Sequence, residues 1–203
     1  MKLRKLLLAT VGATVLLGAL ISSASARNFS VSNQFFESNF RAITFINPFG
    51  SIVCEVHLDG SLHRRTLAKR VGSLIGYITQ AEFGGSRCTT NRATILRETL
   101  PWHVRYLGFA GALPNITQVI VNVIRAAFRI ATESSNCLVT STETNPLTIT
   151  FGQNLTSRIF TIARIGGTLP TGGGCFQVGT TLDSDDAPVF LLNSTTRITL
   201  TLI

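Results

Sequence analysis

The chain is 203 residues long, with 18 Lys+Arg, 10 Asp+Glu and a hydrophobic fraction of 45%. That length suits a single domain with a sizeable core, and no Pro-rich or Ser-rich linker or charge block divides it. The positive balance is too modest for a dedicated nucleic-acid binder, and nothing after Ile21 is long and apolar enough to span a membrane as a helix.

Met1-Lys2-Leu3-Arg4-Lys5 is a short basic stretch. Residues 6–21 are apolar apart from small residues and Thr, and Ala24-Ser25-Ala26 has the small-x-small pattern of a processing site. The expectation is a signal peptide over residues 1–26, cut after Ala26, and one exported domain over residues 27–203. A membrane anchor is the competing reading, but the apolar run is about 16 residues, short of the roughly 20 that cross a bilayer. A lipoprotein is not expected because the first Cys is Cys54. A sortase anchor is not expected because Leu169-Pro170-Thr171-Gly172 lacks the spacer residue and an apolar tail. Once Lys2, Arg4 and Lys5 leave with the signal, 15 basic residues face 10 acidic ones, a net charge of +5. That excess favours anionic surfaces.

Ile52, Cys54, Val56 and Leu58 alternate with other residues and predict a strand with one buried face. Asp59-Gly60 is the predicted hairpin turn after it. His57 and His63 flank that turn, and with Glu55 they make an incomplete metal set, so ordinary surface histidines are the preferred reading. His63-Arg64-Arg65 with Lys69-Arg70 is the densest basic patch. Arg64, Arg65, Lys69 and Arg70 are candidate contacts for an anionic polymer or polysaccharide, weighed against a merely solvated basic face. Without interleaved aromatic residues, no specific nucleic-acid groove is expected there. Leu67, Val71, Leu74 and Ile78 fall at helical spacing, yet Gly72 and Gly76 would weaken a helix by roughly 1 kcal/mol each, so the segment is expected to be mostly β.

Residues 101–106 hold the only Trp, one of three His and one of two Tyr. On a strand, Trp102, Val104 and Tyr106 share one face, and His103 and Arg105 the other. Trp102, His103, Arg105 and Tyr106 are therefore candidate ligand residues, with the Trp/Tyr pair as a stacking platform for sugar rings. The plainer and preferred reading buries Trp102 and Tyr106 as core anchors and leaves His103 and Arg105 facing water. Residues 116–130 are rich in Val and Ile and are also expected to be β.

Further along, residues 148–151, 158–164, 175–181 and 197–202 alternate as strands do, the last as a half-buried final strand. Turns are expected at Asn47-Pro48, Gly84-Gly85, Asn145-Pro146, Gly166-Gly167 and Gly172-Gly173-Gly174. Asp183-Ser184-Asp185-Asp186 reads as an acidic loop, which makes Asp183, Asp185 and Asp186 candidate Ca²⁺ ligands. The run lacks the Gly and distal Glu of a complete calcium loop, so a solvated turn is preferred and no resident cofactor is expected. The fold expected from the whole pattern is all-β, an antiparallel β-sandwich of many short strands with at most one short helix. An outer-membrane barrel is set aside, because one Trp and two Tyr cannot build the aromatic girdles of that class.

Cys54, Cys88, Cys137 and Cys175 make an even set in a chain read as exported, which points to two disulfides. Of the three pairings, Cys54–Cys88 with Cys137–Cys175 is preferred because it closes loops of similar length in the two halves. No two Cys have the spacing of a zinc knuckle or a redox pair.

Cys54-Glu55-Val56-His57-Leu58-Asp59-Gly60-Ser61-Leu62-His63, Gly76-Tyr77-Ile78-Thr79, Leu100-Pro101-Trp102-His103-Val104-Arg105-Tyr106 and Gly111-Ala112-Leu113-Pro114 carry a resemblance. The chain resembles, from about residue 50 to its end, a group of small exported bacterial proteins of uncharacterised function. The resemblance implies a shared β fold and no chemistry.

Catalytic motifs are absent from the sequence: there is no His-Glu-x-x-His, no Gly-x-Ser-x-Gly, no phosphate loop and no dinucleotide fingerprint. The function expected is therefore that of a non-enzymatic structural or binding protein of the cell envelope or extracellular space. One alternative is a secreted hydrolase of envelope polymer, drawing on His103 or His57 with Glu55 or Glu98. Another is a calcium-dependent adhesion module built on residues 183–186.

Overall fold

The computed structural model describes residues 28–47, 50–84, 88, 93–112, 115–131, 136–152, 156–160, 167–168, 181–184 and 187–202. Residues 1–26, expected to be a signal peptide, and Cys175, Asp185 and Asp186 lie outside these residues. In chain order the strands are β1 (Asn28–Val31), β2 (Phe35–Asn47), β3 (Gly50–Leu62), β4 (Thr66–Ala68), β5 (Leu74–Phe83), β6 (Ala93–Ile95), β7 (Trp102–Ala112) and β8 (Asn115–Ile124). They continue as β9 (Ala127–Ala131), β10 (Asn136–Thr140), β11 (Leu147–Gly152), β12 (Thr156–Phe160), β13 (Gly167–Thr168), β14 (Thr181–Ser184), β15 (Ala187–Leu191) and β16 (Leu200–Leu202). A single 3-10 turn, Arg97–Thr99, is the helical element among the described residues, and no helix there is long and apolar enough to cross a membrane.

All pairings are antiparallel, in keeping with the all-β expectation, and the largest sheet curls until its ends meet. Its pairing runs β2, β3, β5, β7, β8, β11, β12, then β14 and β15, which return to β2. The two facing layers expected of a sandwich are here opposite walls of one curled sheet. Joining the ends leaves no long unpaired edge in that sheet. Alternation decides which side chains face in. Ile52, Cys54, Val56 and Leu58 of β3 are buried, as are Trp102, Val104 and Tyr106 of β7 and Val119, Val121 and Val123 of β8. In β2 the inward set begins Phe36, Ser38, Phe40 and resumes as Ile43 and Phe45. The bulge between Phe40 and Ile43 makes that change of parity, without which Ala42 and Thr44 would point inward.

Neighbouring barrel strands run in opposite directions, so every second connection lies at the same end. β1 enters β2, β4 links β3 to β5 and β16 follows β15, which places all three at one end; they pair as a small sheet in the order β16-β1-β4. β6, β9, β10 and β13 lie on connections at the opposite end and form a second small sheet. Each end thus carries its own cap. At the second end Phe128 of β9 packs edge-on against Phe45 at 5.2 Å and Trp102 at 5.6 Å between ring centroids. Under the first cap lies a cavity of about 70 Å³ whose exposed lining is wholly apolar.

The Cys54–Cys88 disulfide expected from sequence is present and ties β3 to the β5–β7 connection. Cys137 lies in β10. Residues 67–78 and 116–130 are mostly β, as expected, the first interrupted by the bend at residues 69–73 and the second at Arg125, whose φ is 73°. The Asp59-Gly60 turn is a correction: both residues lie inside β3, where the facing strand β5 bulges at Thr79. Gly60 is required there by packing, since a Cβ would sit 2.3 Å from Phe36 Cζ and 2.5 Å from the Tyr77 carbonyl oxygen. The acidic loop is also corrected in part, because Asp183 and Ser184 belong to β14, paired with Thr44 and Ile43. The final strand is shorter than expected, with Arg197 making only an isolated bridge to Phe190 before β16.

Candidate functional site

The basic patch is held at the first capped end by β4, a three-residue strand bonded to β1. Alternation turns Leu67 inward, where it is buried, and leaves Thr66 and Ala68 exposed. The chain on either side is fixed by backbone bonds: the Val31 N–H donates to the Arg65 carbonyl at 2.8 Å, and the Ser73 N–H to that of Arg70 at 3.0 Å. Gly72, with φ of 78°, makes the bend that lets its N–H reach the Tyr106 carbonyl at 2.8 Å. Arg64, Arg65 and Arg70 are exposed. The Lys69 ammonium lies 5.5 Å from the Phe29 ring centroid and 5.7 Å from that of Phe109, within cation–π range of both. No ion pair joins any of these four cations to a carboxylate among the described residues. Val71, at the tip of the same bend, is 68% exposed.

A second polar region is an open cleft of about 550 Å³ on the outer wall, bordered by Glu98, His103, Arg105, Arg125, Ser141 and Glu143 among others. Arg105 pairs with Glu143 at 3.0 Å, and an Arg125 Nη1 approaches His103 Nε2 at 3.5 Å. Burial, then Arg125 and Arg105, hold the His103 imidazole below its usual pKa. Tyr77 stands between His63 and His103, with ring centroids 5.0 and 5.4 Å away. Two cations balanced by two carboxylates make this cleft close to neutral, in contrast to the β4 rim.

A third cluster lies on the outer faces of β2, β3 and β5. The register sets Asp59 between Glu37 and Gln80, and His57 between Asn39 and Glu82. His57 Nε2 pairs with the Asp59 carboxylate at 2.8 Å, and its Nδ1 meets Asn39 Oδ1. Burial chiefly raises the Asp59 pKa; His57 lowers it, while Glu37 and Glu82 raise it further. His57 and His63 are not brought together as hairpin partners, since both lie along one chain direction at the end of β3.

Trp102 and Tyr106 are corrected as a stacking platform. They are 1% and 4% exposed, because the inward face of β7 is the barrel core, and burial pushes the Tyr106 hydroxyl's pKa up. Trp102 Nε1 donates to Thr99 Oγ1 at 2.9 Å, so its one polar atom is satisfied inside. His103 and Arg105 do face outward, as alternation requires. No group of three His, Cys, Asp or Glu suited to a metal ion occurs among the described residues. Arg125, Glu143, Asn39 and Glu82 had no sequence signal, because only strand register sets them beside His103, Arg105 and His57. Comparison with protein-family models, curated proteins and solved structures returned no match, so the site is read from its own residues.

Proposed function

We propose that this chain is an exported, non-catalytic binding protein of the cell envelope or extracellular space, and that it engages an anionic polymer or surface through the β4 rim. The observation that carries the reading is the set Arg64, Arg65, Lys69 and Arg70, displayed on a braced loop with no carboxylate partner among the described residues. Export follows from the N-terminal pattern, and the Cys54–Cys88 bond suits an oxidising compartment. Exposed cations of this kind give long-range attraction that salt screens, with a Debye length near 10 Å at 0.1 M.

The test is cosedimentation of the purified protein with isolated cell-envelope material across a salt series. Binding is expected at low salt, fading toward 1 M, and is expected to drop at least tenfold in the quadruple variant Arg64→Gln, Arg65→Gln, Lys69→Gln, Arg70→Gln. Sedimentation that ignores both salt and the quadruple variant would remove the rim from the reading. Absence of sedimentation at any salt would remove the reading itself.

A further inference from the structure

We infer that the barrel binds an anionic single-chain amphiphile, with the end of its alkyl chain in the interior cavity and its charged head on the β4 rim. The inference deepens the reading above by naming a ligand for the same end of the molecule. Three observations converge there. The cavity of about 70 Å³ has wholly apolar exposed lining, with Val104, Val121, Ile149 and Phe151 among its wall residues. Its roof includes Val31 of β1 and Leu67 of β4, both buried. The four cations flank Leu67 in sequence within three residues on either side, so the roof of the apolar space and the cationic rim are one short segment.

An apolar space of this kind stays dry, since a water inside needs two or more polar partners that the lining does not offer. A chain end entering it displaces little water and removes methylenes from solvent. A cavity of about 150 Å³ accepts benzene, so about 70 Å³ accommodates roughly three carbons and not a whole acyl tail. Phe35 and Val71, the large apolar side chains left 57% and 68% exposed among the described residues, sit at this same end, where the first residue of β2 and the β4–β5 bend lie. Exposed apolar groups beside cations fit a head-and-tail ligand better than a purely polar polymer. β4 and β16 are the two edge strands of that cap, each paired over three residues with the central β1, so the roof is held to its middle strand by short ladders.

The experiment is calorimetric titration of the purified protein with the straight-chain carboxylates from butanoate to dodecanoate, each below its micelle concentration, alongside the matching alcohols. Affinity is expected to rise about fourfold per methylene over about three successive homologues and then to level off. The alcohols are expected to bind more weakly, and Arg65→Gln with Lys69→Gln to reduce the carboxylates to the alcohols' level. Val121→Phe, which fills the cavity, is expected to flatten the chain-length series while leaving salt-sensitive envelope sedimentation intact. Competition of octanoate by lysophosphatidylglycerol, kept below its micelle concentration, would identify a single-chain membrane lipid as the source of the chain, and lack of competition a free carboxylate; both uphold the ligand class. A wild-type series with no chain-length dependence, or one that climbs undiminished to dodecanoate, overturns the inference. In that case persistent envelope sedimentation still supports the rim as an anion site, whereas loss of sedimentation with a surviving chain-length step removes only the envelope reading.

Discussion

Asp59 shows how one side chain can work against the fold that holds it. Its carboxylate is partly removed from water on the wall of the barrel, faces Glu37 directly across the β2–β3 ladder, and is relieved only by His57. Burial comes first among the causes, and the net effect is a pKa above the usual carboxylate value. A folded state that holds this proton more tightly than the unfolded chain gains stability at low pH. That gain is lost as the pH rises through the raised folded-state value. Asp59→Asn is therefore expected to gain melting temperature relative to the wild type as the pH is taken from about 4 to about 7. Glu37→Gln, which removes the opposed charge, is expected to shrink that difference. A difference independent of pH would place the strain elsewhere. Gly60, the next residue, makes a separate point. Gly60→Ala drives a methyl group into Phe36 and the Tyr77 carbonyl, and overpacking of this kind costs about 1–3 kcal/mol. Chemical denaturation should show that loss.

The strands were legible where one face is buried and the other more open, as at residues 52–58 and 102–106, because the side-chain period of two is then written directly in the sequence. The bulges were not legible. The Phe40/Ile43 shift in β2 and the bulge at Thr79 in β5, opposite Asp59-Gly60, arise from what the partner strand presents, and a local Asp-Gly reads as a turn unless the facing Phe36 is known. The basic rim was readable as a run of charges, but the proximity of Arg125 to His103 and of Glu143 to Arg105 depends on register and connections that no local pattern encodes. Cysteine spacing was informative at the level of elements. The Cys54–Cys88 bond closes a segment with a sequence separation of 34, for which the chain-entropy model gives roughly 3–4 kcal/mol. Replacing the pair by Cys54→Ala and Cys88→Ala is expected to lower the unfolding free energy by that amount, or somewhat less if the alanines pack well. The β4 rim, held by its own backbone bonds at the other end of β3, should keep its salt-sensitive binding below the lowered melting point.

At the scale of the molecule, closure joins residues distant in sequence: β2 meets β14 and β15, and β1 meets β16. Such long-range pairing makes folding slow, because loop closure comes before the contacts that repay it. It also makes the two ends of the barrel separable in principle, since the first cap is sewn from both chain ends and the second from internal connections. Removal of residues 200–203 tests this separation. The truncation deletes β16, so that Phe29, Ser30 and Val31 each lose a cross-strand partner, and it takes away the cavity-lining Leu200. The loss from apolar burial is about 2 kcal/mol. Trp102 sits against Phe128 at the second end, far from β16 in the connectivity of the barrel, and it reports on a different region. The truncated chain is expected to bind an anilinonaphthalene dye at its opened end while keeping the near-ultraviolet dichroism of Trp102. If the dye signal rises and the Trp102 signal collapses together, the caps are parts of one cooperative core. A rise in the dye signal with Trp102 unchanged establishes the β1-β4-β16 sheet as a removable roof, the arrangement through which a chain end would enter the barrel.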